Sequence, residues 1–332
     1  MDKKIVLKEM TDNFYSVHDM EAAKKLDAFL PGKIFDAHMH ISDRPFYTKD
    51  ILNLSDYYND SAPRMGNREI VCNGIATPYT ELRDKNERQK LTDFLVNELN
   101  MYPQNVGEIH VRPDDTEEDI EAQIIQHPGI RGLKCYHLLA DRTDTFNAGI
   151  EEYLPEAAWE VANKHALAIT LHMVRPKALA DDDNRSYIKE MSKRYPNATL
   201  ILAHAARSFA AWTAIEYVGE LTGCENVWFD FSGICESTGM VAILNKVGVS
   251  RCMWGSDWNV SMSAGKAISI GGTFYWITAN DIKNFNSKTD FHTYLVGTEN
   301  LMATREACIL TNQNEDAVED LFYNNAARLF KR

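Results

Sequence analysis

The chain has 332 residues, of which 45% are hydrophobic and 25% charged, the proportions of an ordinary globular protein. Its 35 Lys and Arg against 48 Asp and Glu give a formal net charge of −13, which argues against a protein that grips nucleic-acid phosphates with a basic face. No apolar run approaches the roughly 20 residues of a membrane span, and the charged N-terminus lacks the apolar core of a signal peptide. The 6 cysteines form no C-x-x-C pair and predict reduced thiols in a cytoplasmic protein.

In chain order, residues 1–30 predict a leader helix that ends at Pro31 and Gly32. Short apolar runs then alternate with longer amphipathic stretches. The runs span residues 33–41, 69–78, 105–113, 129–137, 167–174, 199–206, 226–233 and 251–257. Most of them are apolar throughout, which is typical of strands that are buried on both faces.

The stretches between the runs predict helices. Residues 84–100 place Leu91, Leu95 and Leu99 on one face, and Thr116 with Asp119 forms a capping-box pattern at the start of a second helix. Further helices are predicted over residues 154–166 and 186–197. A doubly wound open sheet would fit this alternation almost as well, but the count of eight strands favours a distorted (β/α)8 TIM barrel with extra helices at both termini.

No linker, charge block or repeat marks a second domain, so we predict one domain over residues 1–332. Its parts are the leader at 1–30, the barrel strands at 33–257, and a Ser/Gly-rich loop with closing helices at 258–332. In the last helix the predicted packing residues are Val318, Leu321, Phe322 and Leu329.

Metal-ligating residue types stand at the predicted strand ends, where a barrel forms its active site. His38 and His40 are two residues apart on the first strand and therefore share a face, and the fifth, sixth and eighth strands end in His172, His204 and Asp257. Taken singly, such a histidine is more often a hydrogen-bonded core residue, and the aspartate could cap a helix. Together they predict a site for one divalent ion, with zinc favoured and manganese as the alternative.

Three arginines follow strand ends on the loops that surround such a site: Arg112, Arg175 and Arg207. Because the guanidinium presents a planar fork to carboxylates, we expect one or two of them to bind a substrate carboxylate. The alternative is pairing with surface acids. The aromatic residues Tyr136, His137 and Trp258 are predicted to line the same opening, where packing is the simpler role for Trp254.

Six segments of the chain carry a family resemblance that spans residues 33 to 330. They read FDAHMH, GIRGLKCY, ITLHM, LILAHAAR, CMWGSDW and YNNAARLF, and in this order they resemble the amidohydrolase superfamily. The nearest likeness is to its amidohydrolase-related branch, which includes aminocarboxymuconate-semialdehyde decarboxylase-like enzymes. This branch hosts both hydrolases and non-oxidative decarboxylases.

The resemblance implies roles for individual residues. His38, His40 and His172 would bind the metal, and Asp257 would bind it or take the proton from its water. His204 would be a second-metal ligand or an electrophile that polarises the substrate. The resemblance also implies that Lys134 stands where some members carry a carboxylated, metal-bridging lysine, so a second metal stays open.

Glu108 has three readings at this point: a metal ligand, a partner of the ligands, or a structural carboxylate paired with Lys134.

We therefore predict a metal-dependent hydrolase that activates water to attack an ester, lactone or amide of a small carboxylate-bearing substrate, with Asp257 and His204 as catalytic residues. One alternative is a metal-dependent decarboxylase of an unsaturated or aromatic acid. Another is a catalytically inert barrel scaffold, which would lack a ligand. No nucleic-acid or membrane partner is expected. The C-terminal region either completes the outer ring of the barrel or forms a homodimer contact.

Overall fold

The computed structural model describes residues 15–45, 51–66, 68–283 and 292–330. Eight parallel strands follow one another around a nearly closed barrel in the order of the chain, so the predicted (β/α)8 TIM barrel is confirmed. The strands are β1 (Lys33–Ile41), β2 (Glu69–Ala76), β3 (Val106–His110), β4 (Ile130–Tyr136), β5 (Ala168–His172), β6 (Thr199–Leu202), β7 (Val227–Asp230) and β8 (Cys252–Met253).

Backbone hydrogen bonds between β1 and the segment that follows β8 bring the two edges of the sheet together. The Ala37 amide donates to the Trp254 carbonyl at 3.0 Å, and the Asp257 amide donates to the His38 carbonyl at 2.8 Å. An open doubly wound sheet has no such contact between its first and last strands. This closure also carries Asp257 to the strand that holds the histidine pair.

Helices connect the strands and follow the barrel. They are α1 (Val17–Leu26), α2 (Leu54–Ser61), α3 (Lys85–Met101), α4 (Glu117–Gln126), α5 (Glu156–His165), α6 (Asp182–Arg194), α7 (Trp212–Tyr217), α8 (Ser237–Val247), α9 (Ala279–Lys283), α10 (Val296–Leu310), α11 (Glu315–Glu319) and α12 (Asn325–Phe330). A π-helical turn, Asp320–Asn324, joins the last two. Within the described part of the chain, every helix is too short or too polar to span a bilayer.

Local sequence signals account for several helix boundaries. The predicted capping box at Thr116 and Asp119 is present at the start of α4, since each side chain accepts from the backbone amide of the other. The predicted leader corresponds to α1, and its first 14 residues lie outside the described ranges. The predicted leucine face of α3 is buried.

Two apolar layers hold the barrel. The larger lies mainly between strands and helices, and a smaller one fills one end of the barrel, where Phe35 and Trp228 pack against Leu329 and Phe330 of α12. The four packing residues predicted in the closing helices are all buried, and all 6 cysteines are free thiols.

One predicted loop is wrong in part. The Ser/Gly-rich stretch after the barrel contains an antiparallel hairpin, β9 (Gly265–Ile270) paired with β10 (Thr273–Thr278). Gly271 and Gly272 form its turn at φ 57° and 79°, a conformation that glycine adopts without the clash of a Cβ. The Gly-Gly pair between two apolar runs was the available hairpin signal.

Candidate metal centre

The first strand delivers two histidines to one point through a bulge. Its pairing with β2 shifts by one residue between Asp36 and Met39. In an unbroken strand, the residues that share a face with Phe35 would all be odd-numbered. The bulge adds one residue, so the even-numbered His38 and His40 point into the barrel above the apolar end. The two-residue spacing then brings their Nε2 atoms to 3.1 Å from each other.

Asp257 joins these histidines. Its Oδ1 lies 3.5 Å from His40 Nε2, and one potential ligand atom from each of His38, His40 and Asp257 falls within 4.8 Å of the others. Zinc binds imidazole nitrogen at 2.0–2.1 Å, so neighbouring ligand atoms on a tetrahedral ion are about 3.3 Å apart. The distance of 3.1 Å between the two histidine Nε2 atoms and that of 3.5 Å from His40 Nε2 to Asp257 Oδ1 are both close to this value.

Asp230 fixes the tautomer of His38. Its Oδ2 lies 3.0 Å from His38 Nδ1, and its Oδ1 accepts from the His204 and Ser232 amides at 3.1 Å each. Burial alone would raise the pKa of Asp230, but the neighbouring His38 imidazole and these hydrogen bonds bring it well below its usual value. The anionic carboxylate therefore accepts a hydrogen bond from the protonated Nδ1, and the lone pair of His38 is on Nε2.

A second group of three potential ligands is better explained as a hydrogen-bond network. It contains His38, His204 and Asp230. His204 Nδ1 lies 3.0 Å from the Ser232 carbonyl, which can only accept, so this nitrogen carries the proton. The Ser232 hydroxyl also lies within 3.1 Å of both Nδ1 atoms and bonds Asp230.

Burial keeps the imidazoles neutral. It lowers the pKa of His38, with the charge of Lys134 acting in the same direction, and it lowers the pKa of His40 and of His172 well below their usual range. Neutral imidazole is the form that binds a metal ion. The Nδ1 atom of His40 is buried without a hydrogen-bond partner among the described residues.

His172 lies beside this group of atoms. Its Nδ1 is 3.2 Å from His204 Nε2, and the two rings are 5.0 Å apart. It belongs to neither of the two potential ligand groups among the described residues. Its role as a ligand stays a prediction.

Lys134 and Glu108 occupy the barrel interior next to the histidines. Lys134 Nζ lies 3.1 Å from His38 Nε2, and burial lowers its pKa. Burial raises the pKa of Glu108 to about 8. Glu108 accepts from Asn73 at 3.0 Å and from Thr170 at 2.8 Å, and the nearby charge of Lys134 acts against the effect of burial on its pKa, although the salt bridges of the described residues include none between the two. The bridging lysine and the second metal stay predictions.

The three predicted arginines have different surroundings. Arg112 pairs with Asp114 at 2.6 Å, and Arg175 pairs with Asp181 and Asp183 at 2.8 Å each, as the alternative to substrate binding expected. Arg207 has no carboxylate partner among the described residues and donates to the Arg175 carbonyl at 3.1 Å. It is the arginine of the three that is available to a substrate anion.

A left-handed turn presents His204 and Arg207 together. Four consecutive residues after β6, from His204 to Arg207, have φ between 52° and 58°. This conformation costs a non-glycine residue about 1–2 kcal/mol. Such strain is concentrated at functional sites, where the surrounding structure holds it in place.

The predicted aromatic residues divide between the opening and the core. The Tyr136 ring lies 4.5 Å from that of His172, and His137 is buried against Thr145. Trp258 is buried, and its Nε1 has no hydrogen-bond partner among the described residues. Trp254 stacks on a core phenylalanine, which is the packing role expected of it.

Asp230 and Ser232 are the residues that sequence reasoning missed. Both lie at or just after the end of β7, in the segment VWFDFSG. The strand-end argument that selected His172 and Asp257 applies equally to Asp230 and would have found it. Nothing in the local sequence marks Ser232.

The chain belongs to the amidohydrolase family, whose model matches residues 35–332. It is 27% identical over 188 residues to L-fucono-1,5-lactonase of Burkholderia ambifaria, an alignment that covers 52% of this chain and 60% of that protein. The chain therefore spans less than two thirds of the length of this relative.

Solved structures share the fold at low identity. A zinc-bound amidohydrolase from Burkholderia multivorans matches with a TM-score of 0.59 at 14% identity, covering 90% of this chain and 99% of that one. A dihydroxybenzoic acid decarboxylase from Polaromonas with bound manganese and an inhibitor matches with a TM-score of 0.57 at 13% identity, covering 91% and 97%. Hydrolases and decarboxylases thus both occur on this barrel.

Proposed function

We propose that this protein is a metal-dependent hydrolase that opens an ester, lactone or amide of a small carboxylate-bearing substrate. The observation that carries the proposal is the convergence of His38 Nε2, His40 Nε2 and Asp257 at separations that suit one tetrahedral ion. Zinc fits two imidazoles and a carboxylate best, with manganese as the alternative. His172 would complete the set by turning its ring from His204.

A divalent ion at this point supplies a Lewis acid and lowers the pKa of a water molecule that it binds. The residues of the chain then handle the protons. Asp257 accepts the proton of the attacking water and returns it to the leaving oxygen or nitrogen. His204 Nε2 lies beside His172, and because Nδ1 already carries a proton, a second proton on Nε2 would give a cation that stabilises the oxyanion as it forms.

The surroundings of Arg207 support the proposal that the substrate carries a carboxylate. A buried or half-buried guanidinium without an acidic partner favours an anionic ligand, because the ligand supplies the missing charge. Arg207 follows His204 by three residues in the same turn, so a bound carboxylate would lie near the reacting bond.

A decarboxylase would use the same parts differently. His204 or Asp257 would then deliver a proton to the substrate carbon as carbon dioxide departs. The aromatic ring of Tyr136 beside His172 favours a planar aromatic or unsaturated acid as substrate, and this observation supports the second candidate.

The experiment is a paired assay of the zinc-loaded protein. Aldonic 1,5-lactones, 2-pyrone carboxylic acids and dihydroxybenzoic acids are followed by proton release and by carbon dioxide release. We expect proton release without carbon dioxide, and a loss of at least about 100-fold in Asp257→Asn, since a general acid–base group contributes that much. Carbon dioxide release would establish the decarboxylase instead.

Asp316→Asn is the matched control, because Asp316 is an exposed carboxylate on α11. It should leave both rates unchanged. If the protein binds no divalent ion after reconstitution, the proposal is wrong and the alternative of a catalytically inert scaffold is favoured.

A further inference from the structure

The hairpin β9–β10 lies against the segment that follows β6, and polar contacts fix it there. Trp212 Nε1 donates to the Gly272 carbonyl at 2.8 Å, and the Ser269 hydroxyl donates to the Phe209 carbonyl at 3.0 Å. Both contacts lie at or near the tip of the hairpin. The hairpin is thus attached next to the turn that carries His204 and Arg207.

One face of the hairpin continues into the candidate site. Phe274 and Trp276 are two residues apart on β10 and therefore share a face. The Phe209 ring stacks on Phe274 at 4.7 Å and lies 5.6 Å from Trp276. Phe209 also lies 5.6 Å from the His204 ring. An aromatic series therefore runs from the hairpin to a histidine of the site.

Arg207 ends on the same face. Its guanidinium carbon lies 5.4 Å from the centre of the Phe274 ring, within the range of a cation–π contact. Its other fixed contact is the hydrogen bond to the Arg175 carbonyl.

We propose that Phe274 is a positioning residue for Arg207, so that the hairpin strengthens the preference of the site for acids whose carboxylate reaches Arg207. The inference rests on the proposed function, in which Arg207 binds the substrate carboxylate. A long arginine side chain loses rotamer entropy when it binds an anion. The Phe274 ring removes part of that loss in advance by holding the guanidinium in place.

The test measures binding to the zinc-loaded protein by calorimetry. Benzoate has one carboxylate, whereas isophthalate and terephthalate have two, so one can meet the ion while the other meets Arg207. The readout is the Kd of benzoate divided by the Kd of the tighter-binding dicarboxylate. We expect a ratio of about ten for the natural protein, the effect of one charge-assisted hydrogen bond pair.

Arg207→Ala should bring this ratio close to one, and Phe274→Leu should lower it about threefold, the weight of a partly exposed cation–π contact. Phe274→Tyr should keep the ratio because it keeps the ring. Thr273→Ala is the matched control, since Thr273 is the neighbouring exposed residue on the opposite face. Thermal melting establishes that each variant is folded.

Two results would overturn the inference in distinguishable ways. If Arg207→Ala abolishes the preference and Phe274→Leu keeps it, Phe274 does not position Arg207, and the carboxylate site stands. If Arg207→Ala also keeps the preference, the carboxylate site of the proposed function is wrong, and the role of Phe274 fails with it.

Discussion

His38 Nδ1 donates to Asp230 Oδ2 across 3.0 Å, although 192 positions separate the two residues in the chain. This hydrogen bond decides which nitrogen of His38 faces the barrel opening with a lone pair. Metal-binding histidines are commonly held in this way by a carboxylate on the opposite ring nitrogen.

Asp230→Asn should weaken zinc binding about 10- to 100-fold, the usual effect of losing such a carboxylate. The asparagine oxygen would stay with the His204 and Ser232 amides, so its NH2 group would face His38 Nδ1 and force the proton onto Nε2. Competition with a chromogenic chelator gives the affinity. An unchanged zinc Kd would show that Asp230 does not hold the tautomer.

Metal removal should destabilise the native protein. An ion that binds only the folded chain adds about 2.7 kcal/mol at a concentration 100 times its Kd. Dialysis against a chelator should therefore lower the melting temperature, and zinc should restore it. His40→Ala should remove the zinc-dependent part of the shift while His165→Ala, at an exposed histidine on α5, should keep it. Equal shifts in the two variants would contradict the proposed site.

Glu108 should make stability fall as pH rises. Burial raises its pKa from 4.5 to about 8, so between these values the unfolded chain releases a proton that the native protein keeps. Stability is therefore lost at up to about 1.4 kcal/mol per pH unit across this window. Glu108→Gln imitates the protonated acid. Its free energy of unfolding, relative to that of the natural protein, should therefore rise between about pH 5 and pH 8.

Urea unfolding at several pH values measures this difference. The comparison isolates Glu108 from Lys134 and Asp230, the charged groups that also act on it. Parallel curves for the two proteins would show that Glu108 is ionised in the native state.

Ala166→Gly should stabilise the protein by about 1 kcal/mol, because Ala166 is an exposed left-handed residue at the end of α5 with φ 52°. Glycine adopts this conformation without strain. Ala162→Gly, in the interior of the same helix, should have the opposite sign by at least a similar amount, since glycine disfavours a helix interior and the buried methyl group is lost. Denaturant midpoints check both, and equal signs would contradict the backbone explanation.

Much of the barrel follows from local patterns. The apolar runs at 69–78 and 129–137 became β2 and β4, and the predicted capping box begins α4. The strand-end argument also chose His38, His40 and Asp257, which the fold brings together. These patterns depend on the alternation of side chains along a strand and on the period of a helix, and both are determined by residues a few positions apart.

The partners of the charged side chains did not follow from the sequence. Arg112, Arg175 and Arg207 occupy equivalent places after their strands, yet the first two pair with acids and the third does not. The difference arises because the loops bring acidic residues close to the first two arginines and not to the third. Short-range sequence patterns do not predict the path of a loop. The same holds for the Phe274 ring beside Arg207, which required the hairpin to return to the opening.

By itself, the sequence determined the rhythm of strands and helices and the residue types at the strand ends, since both are set within a few positions of the chain. Only the tertiary structure decided which atoms face each other, among them Asp230 on His38 and the Nε2 atoms of the histidine pair. Those distances depend on the bulge in β1, the register of neighbouring strands and the closure of β8 on β1. A shift of one residue in any of them would turn a ligand away from the centre.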